Sequence, residues 1–210
     1  MNFKKYTVGL LSGTSVVLFA LVLAPSVEAG GRGPRPGTNT STKSWGRYPY
    51  LGNANAKVII EVFGGFQCPW TRRLAPVLPK IAQAFPKKVK VVWRDFPLPM
   101  HRRSMPAAIA AREVFRQRGT TGFMIIGTKI FTNYTSLTDQ NLVLWAGQAG
   151  ANTKKVQHAL NTNKYRATIQ AEMKKAKTRG VRGTPTILIN GTPYRGSRTL
   201  SAFSQTINAL

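Results

Sequence analysis

Apolar and polar positions along this chain repeat with two different periods, and each change of period marks an element. Lys57–Phe63, KVIIEVF, is a short β-branched apolar run that predicts a buried strand. From Cys68 to Phe85 the apolar residues Leu74, Val77, Leu78 and Ile81 recur at the spacing of one helix face, with Pro69 in the first turn. Pro76 and Pro79 fall inside that pattern and predict a kink or a break. Lys88–Trp93, KVKVVW, alternates and predicts a second strand. Strand, helix and strand with short links read as a right-handed βαβ unit with parallel strands.

A helical block follows. Pro106–Gln117 is alanine-rich and ends before Gly119, and Thr138–Ala149, Thr153–Leu160 and Lys164–Arg179 continue the block. In the last of these, Tyr165, Ile169, Met173 and Ala176 form an apolar stripe, Lys174, Lys175, Lys177 and Arg179 stay in water, and Gly180 sits as a C-terminal cap. The segment TPTILINGTPYRG then places two short runs around Asn190-Gly191, a strong hairpin signal. Thr199–Leu210 closes the chain as a helix with Leu200, Phe203, Ile207 and Leu210 on one side. This order describes an α/β fold with a helical insertion at about residues 100–180.

The first 29 residues stand apart. Lys4 and Lys5 precede an apolar run from Val8 to Ala24, and Val27-Glu28-Ala29 supplies small residues for cleavage. That is the pattern of a secretory signal peptide cut after Ala29. The alternative is an uncleaved N-terminal membrane anchor, since the run approaches the roughly 18 residues a span needs; Gly9, Ser12, Gly13, Thr14 and Ser15 dilute it and favour cleavage. No cysteine follows the run, so a lipobox is excluded. The expected location is periplasmic or secreted. Residues 30–50 read as a basic Gly/Pro/Ser/Thr-rich linker, and 51–210 as the folded domain.

The 210 residues carry 31 Lys+Arg against 6 Asp+Glu, a formal net charge of +25. Basic residues are spread through the domain, with no recognition-helix or stacked-aromatic pattern, which argues against specific nucleic-acid binding. For an exported protein the matching polyanions are envelope surfaces such as lipid headgroups or acidic wall polymers, while the plainer reading is that the excess charge serves solubility. Two isolated histidines, His101 and His158, one cysteine and no acidic ligand spacing give no metal site and imply no cofactor. His101 reads as a loop or helix-entry residue, and His158 as surface.

The single cysteine, Cys68, lies in GFQCPWT, which has the form of a Cys-Pro-x-Cys redox motif with threonine in place of the second thiol. A cysteine in a first helical turn meets free backbone N–H groups and the positive end of the helix dipole, both of which favour thiolate. The strand end before it is expected to leave it partly exposed at a sheet edge. Thr71 falls on the same turn, where its hydroxyl can donate to the sulfur. Arg72 and Arg73 add positive charge that would strengthen thiolate and favour acidic substrates. The competing assignment for Cys68 is a buried small hydrophobe.

Three separated motifs now matter together: GFQCPW after the first strand, RDFPLPMH after the second, and GVRGTPTILINGTPY before the last helix. In order and spacing they resemble the DsbA-like branch of the thioredoxin superfamily, from about Ala54 to Leu210. The resemblance implies a thioredoxin fold with an inserted helical subdomain and a thiol–disulfide oxidoreductase. It implies that Pro185, in Thr184-Pro185, is a cis-proline facing Cys68, and that the Thr184 backbone pairs with an extended substrate peptide. On the residues alone, Pro185 is an ordinary trans proline at a strand start. Two departures stand out. Gly65 occupies a position where relatives commonly have an acidic residue, and Gly122–Phe131, GFMIIGTKIF, is apolar where they are mixed. That stretch is read as core in preference to a peptide-binding surface.

Without a resolving cysteine, Cys68 cannot release itself from a mixed disulfide, which excludes a self-sufficient dithiol oxidase. Three chemistries remain: isomerisation released by the substrate's own thiol, exchange with a low-molecular-weight thiol, or a stable disulfide with a partner cysteine, including a second Cys68. Pro69 and Trp70 would supply an apolar rim for the partner. The expected protein is an exported monothiol exchange enzyme, with Cys68 as nucleophile, Thr71 as its hydrogen-bond partner and Thr184-Pro185 as peptide platform. The alternative is a non-catalytic peptide- or envelope-binding protein on the same scaffold.

Overall fold

A computed structural model describes residues 47–210. The expected signal peptide and nearly all of the expected linker therefore lie outside the described residues. Five strands form one sheet in the order β1-β3-β2-β4-β5, with β1 Tyr50–Gly52, β2 Val58–Gly64, β3 Val89–Asp95, β4 Thr186–Ile189 and β5 Thr192–Pro193. β2 and β3 run parallel, pairing Val58 with Val89 through Gly64 with Asp95, and every other pair is antiparallel. β1 is an addition to the sequence reading, which began the ordered part at Lys57. Three residues are too few for alternation to show, and β1 is held by its pairing with β3.

The central strands are covered on both faces, so β3 is buried along almost its whole length, Lys90 included. The alternation of KVKVVW therefore does not separate a wet face from a dry one. Lys90 resolves its burial by donating from Nζ to the Ala54 carbonyl at 3.2 Å, with the Tyr50 ring beneath it at 4.3 Å.

The proline pair divides the expected first helix in two, α1 Pro69–Leu74 and α2 Val77–Ala84. Pro76 is the N-cap of α2, while Pro79 falls in its first turn, where its missing N–H costs nothing. Between β3 and β4 stand four helices: α3 Ser104–Thr132, α4 Asp139–Gln148, α5 Thr153–Asn161 and α6 Arg166–Thr178. This is a thioredoxin fold with an inserted helical subdomain. The first helix of the block does not stop before Gly119 as expected. Gly119 takes φ 64°, ψ −159°, breaking the helical dihedrals, and the chain resumes as helix through the apolar Gly122–Phe131. Only glycine enters that backbone region without strain, so it marks a bend rather than an end.

α6 ends in the predicted cap: Val181 N donates to Ala176 O and Gly180 N to Lys177 O, both at 3.1 Å, which satisfies the last carbonyls. Asn190 and Gly191 have φ of 48° and 87°, the conformation of a two-residue hairpin turn between β4 and β5. The closing helix α7, Leu200–Asn208, is capped by Thr199 and buries Phe203 and Ile207; Leu210 lies beyond it and is exposed. At the centre, Phe66, Trp93, Phe123 and Phe131 pack as one aromatic cluster, with Phe66 5.1 Å from Trp93 and 5.3 Å from Phe131. This cluster ties the loop before Cys68 to the sheet and to the far half of α3.

Candidate active site

The site begins where β2 runs out. Gly64 O accepts from Phe96 N at 2.8 Å, Phe66 is driven into the aromatic core, and Cys68 N closes a turn onto Gly65 O at 3.0 Å. Gln67 reaches across to accept Arg103 N at 2.8 Å, fixing the turn against the entry to α3. A Cβ on Gly65 would lie 3.0 Å from Ser104 Oγ and 3.4 Å from Phe96 O, closer than side chains ordinarily pack. A side chain at this position would therefore need Ser104 Oγ to give by a few tenths of an ångström.

Cys68 itself is the N-cap of α1, one position earlier than a first-turn residue. Pro69 at N1 has no N–H, so the free donors facing a capping group are those of Trp70 and Thr71. Against the expectation of partial exposure, Cys68 is only 3% exposed. The reason is that the β4 entry covers it. Thr184-Pro185 is a cis peptide bond, and Cys68 Sγ donates to the Thr184 carbonyl at 3.3 Å. Arg198 braces the same segment from the other side, donating to Pro185 O at 3.3 Å.

Two hydroxyls next to the sulfur, Thr71 Oγ1 and Thr184 Oγ1, are buried and have no hydrogen-bond partner. Burial alone would push the Cys68 thiol up. Hydrogen bonding by the Thr184 and Thr71 side chains, and by the N–H groups of Thr71 and Trp70, outweighs it, so the thiol pKa lies below its ordinary value. The two descriptions fit one picture. While Cys68 is a thiol it donates to a carbonyl and leaves both hydroxyls unsatisfied; as a thiolate it becomes the acceptor that both lack.

The remaining predicted residues divide. Pro69 is exposed, and Trp70 is 56% exposed beside the covered sulfur. Arg72 lies over the Tyr134 ring at 3.9 Å, and Arg73 over the Trp70 ring at 4.8 Å. Hydrogen bonds, rather than these two charges, are the leading causes that lower the thiol pKa. His101 stands in the turn before α3 with Nδ1 buried and unpartnered, while His158 is exposed on α5. Among the described residues no group of His, Cys, Asp and Glu is placed to hold a metal, and no helix is long and apolar enough to cross a membrane. Gln67 and Arg198 were not legible as site residues, because each acts through a contact with a segment beyond its own turn.

A thioredoxin family model matches residues 45–209. Among solved structures, the chain is similar to oxidised BdbD from Bacillus subtilis, with TM-score 0.70 and 21% identity, covering 77% of this chain and 91% of that one. It is also similar to DsbA from Chlamydia trachomatis, with TM-score 0.69 and 19% identity, over 83% and 96% of the two chains. A third likeness is to the thiol-disulfide exchange protein alpha-DsbA2 from Wolbachia pipientis, with TM-score 0.67 and 20% identity, over 77% and 86%. Among curated proteins, the Na(+)/H(+) antiporter NhaA 1 of Mycolicibacterium gilvum is 24% identical over 148 residues, which is 69% of this chain and 24% of that protein. The chain thus spans about a quarter of the length of the curated relatives it matches. With the family model covering nearly all of the described fold, and with the architecture of the DsbA-type thiol–disulfide oxidoreductases, this chain belongs to the thioredoxin family.

Proposed function

We propose that the protein is an exported monothiol thiol–disulfide exchange protein, active in the periplasm or outside the cell, with Cys68 as its nucleophile. One observation carries the reading: two buried hydroxyls beside the sulfur, Thr71 and Thr184, have no other partner, and their hydrogen bonding lowers the Cys68 pKa. In the forward step the Cys68 thiolate attacks one sulfur of a protein, peptide or low-molecular-weight disulfide. A Cys68–S bond forms, the substrate S–S bond breaks, and the second substrate sulfur leaves as thiolate. In the return step a thiolate from the substrate or from a small thiol attacks the mixed disulfide and restores Cys68. No net oxidation is needed, in keeping with one cysteine in the chain. The Thr184-Pro185 segment lies over the sulfur, and Trp70 with Pro69 offers the apolar rim on which an incoming peptide can rest.

The test is the rate of Cys68 alkylation against pH in the purified protein, paired with the thiolate absorbance. A midpoint below the free-thiol value of ~8.5 supports the reading. A normal midpoint, or no reaction until the protein unfolds, would refute it. The 3% exposure of Cys68 favours a second reading, a non-catalytic peptide- or envelope-binding protein that keeps the groove. In that case Cys68→Ser leaves partner capture unchanged, whereas exchange through a mixed disulfide loses the partner completely.

A further inference from the structure

A cavity lined by described residues lies away from Cys68. It is a space of about 440 Å³ between α1–α2 and the second half of α3, and Cys68 is not among the residues that line it. A volume in the range of roughly 300–1,000 Å³ is that of small-molecule sites. On α3 its wall is Thr120, Phe123, Met124, Gly127, Thr128 and Phe131, one continuous helix face. At 1.5 Å per residue that face extends for about 16 Å, so the space is long rather than round. Trp93 and Phe66 form its base.

Arg72, Arg73 and Thr120 stand out among the polar groups of a mostly apolar lining. Arg72 and Arg73 of α1 border the cavity, and Arg72 lies over Tyr134, which places it at the end of α3. Neither arginine has a carboxylate partner. All five acidic residues of the described part, Glu61, Asp95, Glu113, Asp139 and Glu172, are already paired with other cations. At the opposite end of the same helix face, Thr120 is buried and its hydroxyl has no partner. A buried hydroxyl left unpaired is a cost that a bound polar group or water removes.

We propose that this cavity is a binding site for a single-chain aliphatic carboxylate. The charged head pairs with Arg72 and Arg73, and the chain lies along the face from Phe131 to Phe123 toward Thr120. Arg72 at the Phe131 end and Arg73 on the rim, neither with a carboxylate partner, select an anion with an apolar tail. A neutral chain gains burial but no ion pair, and a compact anion gains the ion pair but no burial. The proposal is independent of the chemistry of Cys68, although the ligand would rest on the helix that Cys68 caps.

The experiment is calorimetric titration of the purified protein with dodecanoate below its micelle concentration, beside dodecan-1-ol and acetate. The expected result is saturable binding of one dodecanoate per chain, with dodecanol and acetate each weaker by about tenfold or more. Gly127→Leu fills the space, since a Cβ there already reaches Phe66 at 3.7 Å without clash, and it should abolish binding. The double substitution Arg72→Gln, Arg73→Gln lies on the rim and should weaken dodecanoate to the level of dodecanol. A folded Gly127→Leu protein that still binds dodecanoate overturns the proposal. So does equal binding of acid and alcohol, or full dodecanoate affinity in the arginine variant, whether or not the leucine variant folds.

Discussion

Glu113 gives the sharpest stability prediction. It sits on α3 with its side chain fully buried, and its carboxylate accepts from Arg116 at 3.0 Å, Gln117 at 2.9 Å, Lys164 at 2.8 Å and the Tyr165 hydroxyl at 2.6 Å. Burial alone would raise its pKa. The hydrogen bonds from Arg116, Lys164, Tyr165 and Gln117 outweigh that and hold it at about 2, against an ordinary value of 4.5. A carboxylate depressed in the folded state contributes stability that is complete above the unfolded pKa and is lost as pH falls through the folded one. Between pH 7 and pH 3 the loss from this one residue comes to about 2 kcal/mol. Solvent around the partly exposed Arg116 and Lys164 reduces it to between about 1 and 2 kcal/mol. The perturbation is Glu113→Gln, which removes the charge and keeps the shape. Urea unfolding at a series of pH values should show the variant less stable at pH 7 and the two curves converging as pH approaches 2. Parallel curves for the two proteins would refute the assignment, because every other carboxylate is common to both.

Two further outcomes follow from the site and the core. Thr71→Ala removes a hydroxyl that stabilises the thiolate, so the Cys68 pKa should rise and exchange near neutral pH should slow; thiolate absorbance against pH checks it, and an unchanged midpoint removes Thr71 from the site. Arg112→Gln leaves Asp95 and Glu172 facing each other without their shared cation, and should cost about 3–5 kcal/mol in urea unfolding at pH 7, with a partial recovery at low pH as the carboxylates protonate.

Local signals carried the elements well wherever the information was local. The proline pair in α1–α2, the glycine cap of α6 and the Asn190-Gly191 turn are each written in a few adjacent residues, and the structure places them as read. The misreadings share a cause. β1 exists only because β3 lies beside it, Lys90 is dry only because both faces of β3 are covered, and the far half of α3 is helical although Gly119 reads as a stop. The same holds at the site. Cys68 and Thr71 could be singled out from one turn of sequence, but the burial of the sulfur comes from Thr184, 116 residues away. The resemblance to DsbA-like proteins set Pro185 opposite Cys68 and gave the Thr184 backbone to a substrate peptide; neither it nor periodicity showed that Thr184 buries the sulfur.

The scarcity of acidic residues acquires a meaning once their partners are known. None of the five is left over for the surface surplus of positive charge. Glu61 on β2 binds Arg94 on β3 and Arg179 just after α6; Asp95 on β3 and Glu172 on α6 share Arg112 on α3; Glu113 on α3 holds Lys164 and Tyr165 at the entry to α6. Apart from Glu61–Arg94, which ties β2 to β3, these contacts cross between the sheet and the inserted helices, or between two inserted helices, so the carboxylates act mainly as fasteners for the insertion. A chain at +25 repels itself, and that repulsion grows as carboxylates protonate. Acid should therefore loosen α3 and α6 from the sheet before it disturbs the apolar pairing of β2 with β3. Amide exchange at pH 3 should show α6 opening ahead of β2. Simultaneous loss of protection in both elements would mean that the fasteners and the core unfold as one unit.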